Sequence, residues 1–294
     1  MTKNKGKKSR TITCWTMIMI AAAFVIIFGY LPTIQAFILS FKTGKGANLS
    51  FNGLANYVRL FKDNTFWTTL GNTLIYAVFE IPIMLLLALI IAVMLNDPKI
   101  KERGIYRTCI FLPCVTSMVS YSILFKNIFA LDGVVNNLLL KIGVIDMPIS
   151  FILDAHWAKF VIVVALIWRY TGYYMIFFLS ALQNVDASIY EAAKLDGATD
   201  SQSFRSITIP MLKPIIFLTS IMALNSTLQL FDEVVNLTSG GPGNATRTIS
   251  EYIYDLSFNY VPSYGYASTV SLAVFVIVVA ITIFQKGVMR DKDE

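Results

Sequence analysis

The sequence predicts an all-α integral membrane protein with six transmembrane helices. Of the 294 residues, 56% are hydrophobic and only 14% are charged, whereas average proteins carry about 25% charged residues. Four uncharged runs have at least 18 residues, and two others are interrupted only once, by Glu80 or by Arg169. A helix of about 20 apolar residues crosses the hydrocarbon core of a bilayer. The predicted spans are residues 13–41, 66–95, 107–128, 158–182, 213–236 and 264–286.

Lys and Arg are unevenly distributed among the segments outside these spans. Fifteen lie in the N-terminal tail (1–12), in the loops after the second and fourth spans and at the C-terminal end, and only six lie in the other loops. Because cytoplasmic segments are enriched in Lys and Arg, both termini are predicted to be cytoplasmic. The sequence therefore predicts one six-helix domain over residues 13–288, followed by a cytoplasmic tail at 289–294. This asymmetry accounts for the net charge of +6, so no nucleic-acid partner is inferred.

The sequence lacks the patterns of several other classes of protein. Three Cys and one His provide neither a disulfide framework nor a zinc site, so no metal-binding residue is predicted. The scattered carboxylates and the single His offer no pairing of nucleophile and base, and no catalytic residue is predicted. A Walker A motif is also absent. We therefore expect a chain that is not an enzyme and binds no cofactor itself.

The segment 183–212 is polar and lies between two apolar spans. The patterns Ser-x-x-Glu from Ser188 and Thr-x-x-Gln from Thr199 are capping boxes, which predict two short helices. Gly197 suits the end of the first helix, and Pro210 is predicted to end the second. About 30 capped residues exceed what a simple connection needs. The segment is either a docking surface for a cytoplasmic partner or a hairpin that folds back on the bundle.

The run EAAKLDGA, which begins at Glu191, resembles the EAA-loop signature of binding-protein-dependent ABC importer permeases. It is followed by Phe204, Ile207, Ile209-Pro210 and Pro214. The segments SALQNVDASIY and LTSGGPGNATRTISEYIYDLSFNYVPSYGYAS are similar to the sugar-permease branch, in particular to the first of its two permease subunits. The similarity extends over residues 51–285.

In that family, the EAA loop forms coupling helices that sit in a groove on the ATPase subunit. The resemblance implies that this loop is the cytoplasmic coupling-helix loop, and that Ser188 and Gly197 shape it. Many relatives have an aromatic residue where this chain has Ser201, so Phe204 is a candidate for the bulky anchor. The residues expected to couple to the ATPase are Glu191, Ala192, Ala193, Asp196, Gly197, Phe204 and Pro210.

Polar residues inside the predicted spans are candidates for the substrate pathway. Arg169 must face protein or a water-filled cavity, because a charge at mid-membrane is costly. It either lines the pathway beside Tyr173 or forms an ion pair with Glu80, Asp232 or Glu233, and the ion pair is favoured.

In the fifth span, Asn225, Gln229 and Asp232 are predicted to share one helical face. Their amides and carboxylate would suit the hydroxyl groups of a sugar. The other interpretation is that these polar groups hold neighbouring helices together.

The resemblance implies the permease subunit of an importer with several other chains. Expected partners are a second permease in a heterodimer, a cytoplasmic ABC ATPase dimer that binds ATP and Mg²⁺, and an extracytoplasmic solute-binding protein. The expected location is the bacterial inner membrane, and the expected substrate is a carbohydrate, most simply an oligosaccharide. Glycerol phosphate or another polyol is the alternative substrate. An ion-coupled secondary transporter would show inverted repeats and broken helices, and the sequence indicates neither.

Overall fold

The computed structural model describes residues 3–45, 48–97 and 99–290. The predicted tails are therefore only partly described, since residues 1–2 and 291–294 lie outside these ranges. Within the predicted N-terminal tail, helix α1 already begins at Lys3. The helices are α1 (Lys3–Val25), α2 (Leu31–Ser40), α3 (Ala55–Lys62), α4 (Asn64–Asn96), α5 (Arg103–Val115), α6 (Met118–Ile128), α7 (Val134–Lys141), α8 (Ala155–Leu182), α9 (Ala187–Leu195), α10 (Asp200–Ser203), α11 (Ile209–Leu228), α12 (Asp232–Thr238), α13 (Ile249–Tyr254) and α14 (Tyr264–Arg290).

The described helices confirm the predicted membrane architecture. Five helical segments are long and apolar enough to cross a bilayer, and a bent pair of helices would be a sixth span. Turns of π-helix at residues 26–30 and 204–208 join shorter helices into continuous segments. The five segments are Cys14–Ser40, Asn64–Asn96, Ala155–Leu182, Asp200–Leu228 and Tyr264–Gly287.

The third span differs from the continuous helix predicted at 107–128. Helices α5 and α6 meet at a break after Val115 and are bent by 96°. Pro113 lies inside α5 and has no backbone N–H to donate, which weakens the last turn of that helix. Thr116 then adopts an extended conformation that ends α5. The expectation that the chain has no broken helix was therefore wrong for this span.

The fifth span also has different ends from those predicted at 213–236. Its helix already begins at Asp200 and runs through Pro210, so the prediction that Pro210 ends a helix was wrong. Proline is tolerated in the first turn of a helix, and Pro210 lies there in α11, after a π-turn. At the other end, α11 stops at Leu228 and α12 begins separately at Asp232.

The described chain divides into two compact units. The first comprises the chain up to Asp63 together with Ile253–Ile277, and the second comprises Asn64–Tyr252 with the chain from Val278 onwards. In the second unit, α8 packs along α4, and α5 and α11 pack beside them. Fully buried alanines such as Ala88 and Ala92 allow the helices to approach closely.

In the first unit, a two-stranded hairpin and α3 follow the first span. Strand β1 (Lys42–Lys45) pairs antiparallel with β2 (Asn48–Phe51). The buried Asn56 on α3 donates hydrogen bonds of 2.8 Å to the carbonyls of Ser40 and Lys42. These bonds satisfy carbonyls at the end of the span that have no partner within the helix.

Candidate functional site

The first helix of the cytoplasmic loop predicted at 183–212 is α9. Its N-cap is Asp186, whose carboxylate accepts a 3.0 Å hydrogen bond from the Ser188 backbone N–H. The predicted capping box at Ser188 was therefore wrong, because the helix begins one residue before Ser188. The bonds from Ser188 hold the pKa of Asp186 below its usual range.

The C-terminal end of α9 and the second cap agree with the sequence pattern. Gly197 has a φ of +82°, and the Gly197 and Ala198 N–H groups bond to the carbonyls of Lys194 and Ala193. This is a Schellman motif, which glycine permits at low steric cost. The capping box of Thr199 and Gln202 is confirmed, since both of its reciprocal bonds are present. The loop therefore has a fixed conformation at both helix junctions.

The side chains of α9 divide into an outward and an inward face. Glu191 and Ala192 are exposed, whereas Ala193 is half-buried. Leu195, the last residue of α9, is 90% exposed. Leu195 was not among the residues expected to couple to the ATPase, although it lies on the same helix as the EAA run.

The remaining predicted coupling residues lie in different environments. Asp196 and Gly197 are exposed at the end of α9, and Pro210 is exposed on α11. Phe204 is half-buried and packs against the helix core of the second unit. The structure therefore places Phe204 at the base of the loop and the other three on its surface.

A cavity of about 620 Å³ lies between α9 and the C-terminal ends of α4 and α8. At its wall, the Tyr190 and Thr208 hydroxyls are joined by a 3.1 Å hydrogen bond. The cavity lining combines the carboxylates of Asp97, Glu191 and Asp200 with other polar and apolar side chains.

Arg169 is buried in α8, and its partners differ from the predicted ion pair. Its Nη1 donates to the carbonyl of Thr116 at 3.1 Å and lies 3.5 Å from that of Pro113. The guanidinium carbon lies 4.8 Å from the centroid of the Tyr121 ring. Arg169 forms no ion pair with any described acidic side chain, so the predicted pairing with Glu80, Asp232 or Glu233 was wrong. Backbone carbonyls at the break between α5 and α6 accept from Arg169 in place of that acid.

Two buried carboxylates lie on other helices of the second unit. Glu80 on α4 accepts a 3.1 Å hydrogen bond from Thr227 on α11. Glu233 on α12 accepts a 2.7 Å bond from the Tyr170 hydroxyl on α8. Each bond joins two helices, which is the stabilising role expected of polar groups in a membrane bundle.

The other predicted pathway residues are not brought into one group. Tyr173 is half-buried and stacks edge-on against Tyr174 and Phe177. Asn225 bonds to the carbonyl of Ile221, one turn before it in α11. Gln229 is the exposed C-cap of α11, and Asp232 begins the next helix. The prediction of one shared helical face fails because the helix ends before Asp232.

The glycine-rich segment after α12 is fixed to the second unit by long-range hydrogen bonds. The Asn72 side chain donates to the carbonyls of Asn244 and Arg247, and the Tyr76 hydroxyl donates to that of Thr246. Glu251 is buried nearby, and a methyl group on Gly240 would lie 2.6 Å from its Oε1. Burial raises the pKa of Glu251.

Residues 53–290 match a family described as the binding-protein-dependent transport system inner membrane component. The chain belongs to this family. The permease is thus a multi-pass membrane protein. Among its described residues, no group of three or more His, Cys, Asp or Glu side chains could hold a metal ion.

Curated relatives match the permease over nearly its whole length. The lactose transport system permease protein LacF of Rhizobium radiobacter is 49% identical over 97% of both chains. The multiple sugar-binding transport system permease protein MsmF of Streptococcus mutans is 34% identical over 92% of this chain and 93% of its own. The trehalose/maltose transport system permease protein MalF of Thermococcus litoralis is 31% identical over 94% and 93%.

Solved structures of a bacterial ABC transporter for the acidic polysaccharide alginate have the same fold. One superimposes with a TM-score of 0.84 at 25% identity, covering 98% of the permease and 99% of the solved chain. A second, with a TM-score of 0.85 at 25% identity over 97% and 96%, holds a periplasmic protein bound to an alginate pentasaccharide. The permease is therefore similar in fold and length to one subunit of a complete importer.

Proposed function

We propose that this chain is the first permease subunit of an ABC importer that moves a carbohydrate, most simply an oligosaccharide, into the bacterial cytoplasm. A solute-binding protein outside the membrane would deliver the sugar, and a second permease would complete the pathway in a heterodimer. The family and the sugar permeases among its relatives support this function. The distribution of Lys and Arg supports an orientation with both termini in the cytoplasm.

The energy for transport would come from a separate ATPase dimer that binds ATP and Mg²⁺. The observation that carries this part of the proposal is the rigid, capped helix α9 with its outward face exposed. A helix with fixed ends can transmit movement to the bundle, whereas a flexible loop would absorb it. Glu191, Ala192 and Leu195 would contact the ATPase, with Asp196 at the edge of that surface.

Coupling can be tested by expressing the permease with its second permease and ATPase. We expect Glu191→Lys to reduce copurification of the ATPase and sugar uptake, because it reverses an exposed charge on the docking face. Glu102→Lys is the matched control, since Glu102 is also exposed but lies in another predicted cytoplasmic loop. Equal effects of both variants, or no effect of either at normal expression, would refute coupling through α9.

The substrate can be tested by ATPase stimulation. The complete importer with its binding protein should hydrolyse ATP faster with an oligosaccharide than without one. Glycerol phosphate is the comparison compound, because the two substrates differ in charge. Stimulation by glycerol phosphate alone would overturn the carbohydrate assignment while leaving the coupling proposal intact.

A further inference from the structure

Two residues of α8, Arg169 and Gly172, face the broken pair of helices α5 and α6. Residues three apart lie on the same side of a helix. Arg169 touches both halves of the pair: it donates to the Thr116 carbonyl at the end of α5, and its guanidinium lies over the Tyr121 ring of α6. One buried side chain therefore bridges the break.

Gly172 holds α8 against α5 by a different contact. A methyl group added to Gly172 would lie 2.0 Å from the Ile110 carbonyl oxygen and 2.9 Å from the Phe111 Cα. Both atoms belong to the backbone of α5, so neither can move away as a flexible side chain can. Only glycine permits this approach, which brings the end of α5 within reach of Arg169.

The break between α5 and α6 leaves a backbone carbonyl without a donor in the helix, and Arg169 donates to it. The last carbonyls of a helix have no partner within it, and inside a membrane water cannot supply one. The Pro113 carbonyl accepts from the N–H and the hydroxyl of Thr116, whereas Arg169 supplies the donor for the Thr116 carbonyl. A planar guanidinium can bond a carbonyl and stack on a ring together, which the compact ammonium of lysine does less well.

We propose that Arg169 and Gly172 form a clamp that sets the angle between α5 and α6. Arg169 is then a positioning residue for the broken span and not a substrate ligand. The two contacts have separate roles: Gly172 fixes the distance of α5 from α8, and Arg169 fixes the direction in which α6 leaves. The consequence for transport rests on the proposed importer function, but the clamp itself does not.

The angle can be measured by electron paramagnetic resonance between two spin labels. Tyr106 on α5 and Leu124 on α6 are half exposed and can carry the labels once Cys14, Cys109 and Cys114 are replaced by alanine. In the assembled importer in nanodiscs, we expect one dominant label-to-label distance. Arg169→Met and Gly172→Ala should each shift or broaden that distribution, and Arg169→Lys should have a smaller effect than Arg169→Met.

Gly71→Ala is the matched control for Gly172→Ala, because a methyl group on Gly71 in α4 meets nothing within 4 Å. It should leave the distance unchanged. If Arg169→Met prevents assembly, the label-to-label distances in Gly172→Ala and Arg169→Lys test the clamp instead. An unchanged distribution in those variants, or an equal change in Gly71→Ala, would overturn the clamp.

Uptake measured on the same samples separates the clamp from the transport function. We expect Arg169→Met to lower uptake by about tenfold or more, the scale for losing a hydrogen bond from a charged donor. A shifted distance with unchanged uptake would confirm the clamp and refute its importance for transport. Normal distances with lost uptake would contradict the clamp and point to a direct contact between Arg169 and substrate.

Discussion

The proposed coupling loop around α9 and the proposed clamp around Arg169 use polar groups in opposite ways. In the loop, the capping bonds join residues two to five positions apart, and most outward side chains of α9 are exposed. Around Arg169, the hydrogen bond joins residues 53 positions apart, and the side chain is buried. Substitutions in the loop should therefore change the contact with a partner more than the fold, whereas substitutions in the buried region should change the fold first.

The largest effect is expected from a buried charge of the wrong sign. Glu80→Lys would remove the acceptor for Thr227 and place an ammonium in a site where the Glu80 side chain is buried. We expect a loss of about 3 to 5 kcal/mol of stability, seen as little monodisperse protein in detergent. Glu80→Gln keeps an acceptor oxygen for Thr227 and should remain close to normal. Normal yield of Glu80→Lys would show that this site is not buried in the membrane bundle.

A smaller effect is expected at the end of α9. Gly197→Ala places a side chain at a φ of +82° where it meets nothing within 4 Å, so only backbone strain opposes it. We expect a local cost of about 1 kcal/mol, measured as faster amide exchange over α9. Gly104→Ala, which also meets nothing within 4 Å but lies inside α5, should not increase exchange. Equal exchange in both variants would contradict the Schellman motif.

The beginning of α9 offers a comparison between two candidate N-cap residues, Asp186 and Ser188. Asp186→Ala removes the N-cap, and we expect amide exchange at Ser188 to rise by about two- to tenfold. Ser188→Ala should have little effect, because the Ser188 side chain does not cap the helix. The reverse order of effects would restore the capping box that the sequence alone predicted.

The smallest effect is expected at Glu251 in the glycine-rich segment. Burial raises the pKa of Glu251 in the folded protein, so its protonated form is favoured there. The stability from this site is present below the unfolded pKa and is lost as the pH rises through the folded pKa. The nearby Arg247 guanidinium and a hydrogen bond from the Thr248 backbone limit this rise in pKa. Thermal unfolding of Glu251→Gln should depend less on pH than that of the unmodified protein, and an unchanged dependence would refute this role.

Much of the loop could be predicted from sequence because its determinants are local. A capping box needs only two residues three apart, and a glycine in the left-handed region needs only its own position. Thr199 and Gly197 were therefore identified correctly. The error at Ser188 has the same origin, because Asp186 and Ser188 are both good caps and local pattern alone does not choose between them.

The surroundings of Arg169 could not be predicted, because they depend on where another helix breaks. Proline disfavours the continuation of a helix, but Pro113 alone does not specify a bend of 96° three residues later. Without the break, no backbone carbonyl is free near Arg169, and an acidic partner is the natural expectation. The prediction that Asp232 shares a helical face with Asn225 failed for a similar reason. Helix α11 ends at Leu228, so Asp232 lies on the next helix.

The central claim is that the outward face of α9 serves a partner and not the fold. Leu195 tests it most directly, since the side chain is 90% exposed. We expect Leu195→Asp to leave the unfolding temperature of the permease pair unchanged and to weaken binding of the purified ATPase by about tenfold or more, as for an apolar residue at the centre of an interface. Unchanged ATPase binding with normal unfolding would contradict the claim.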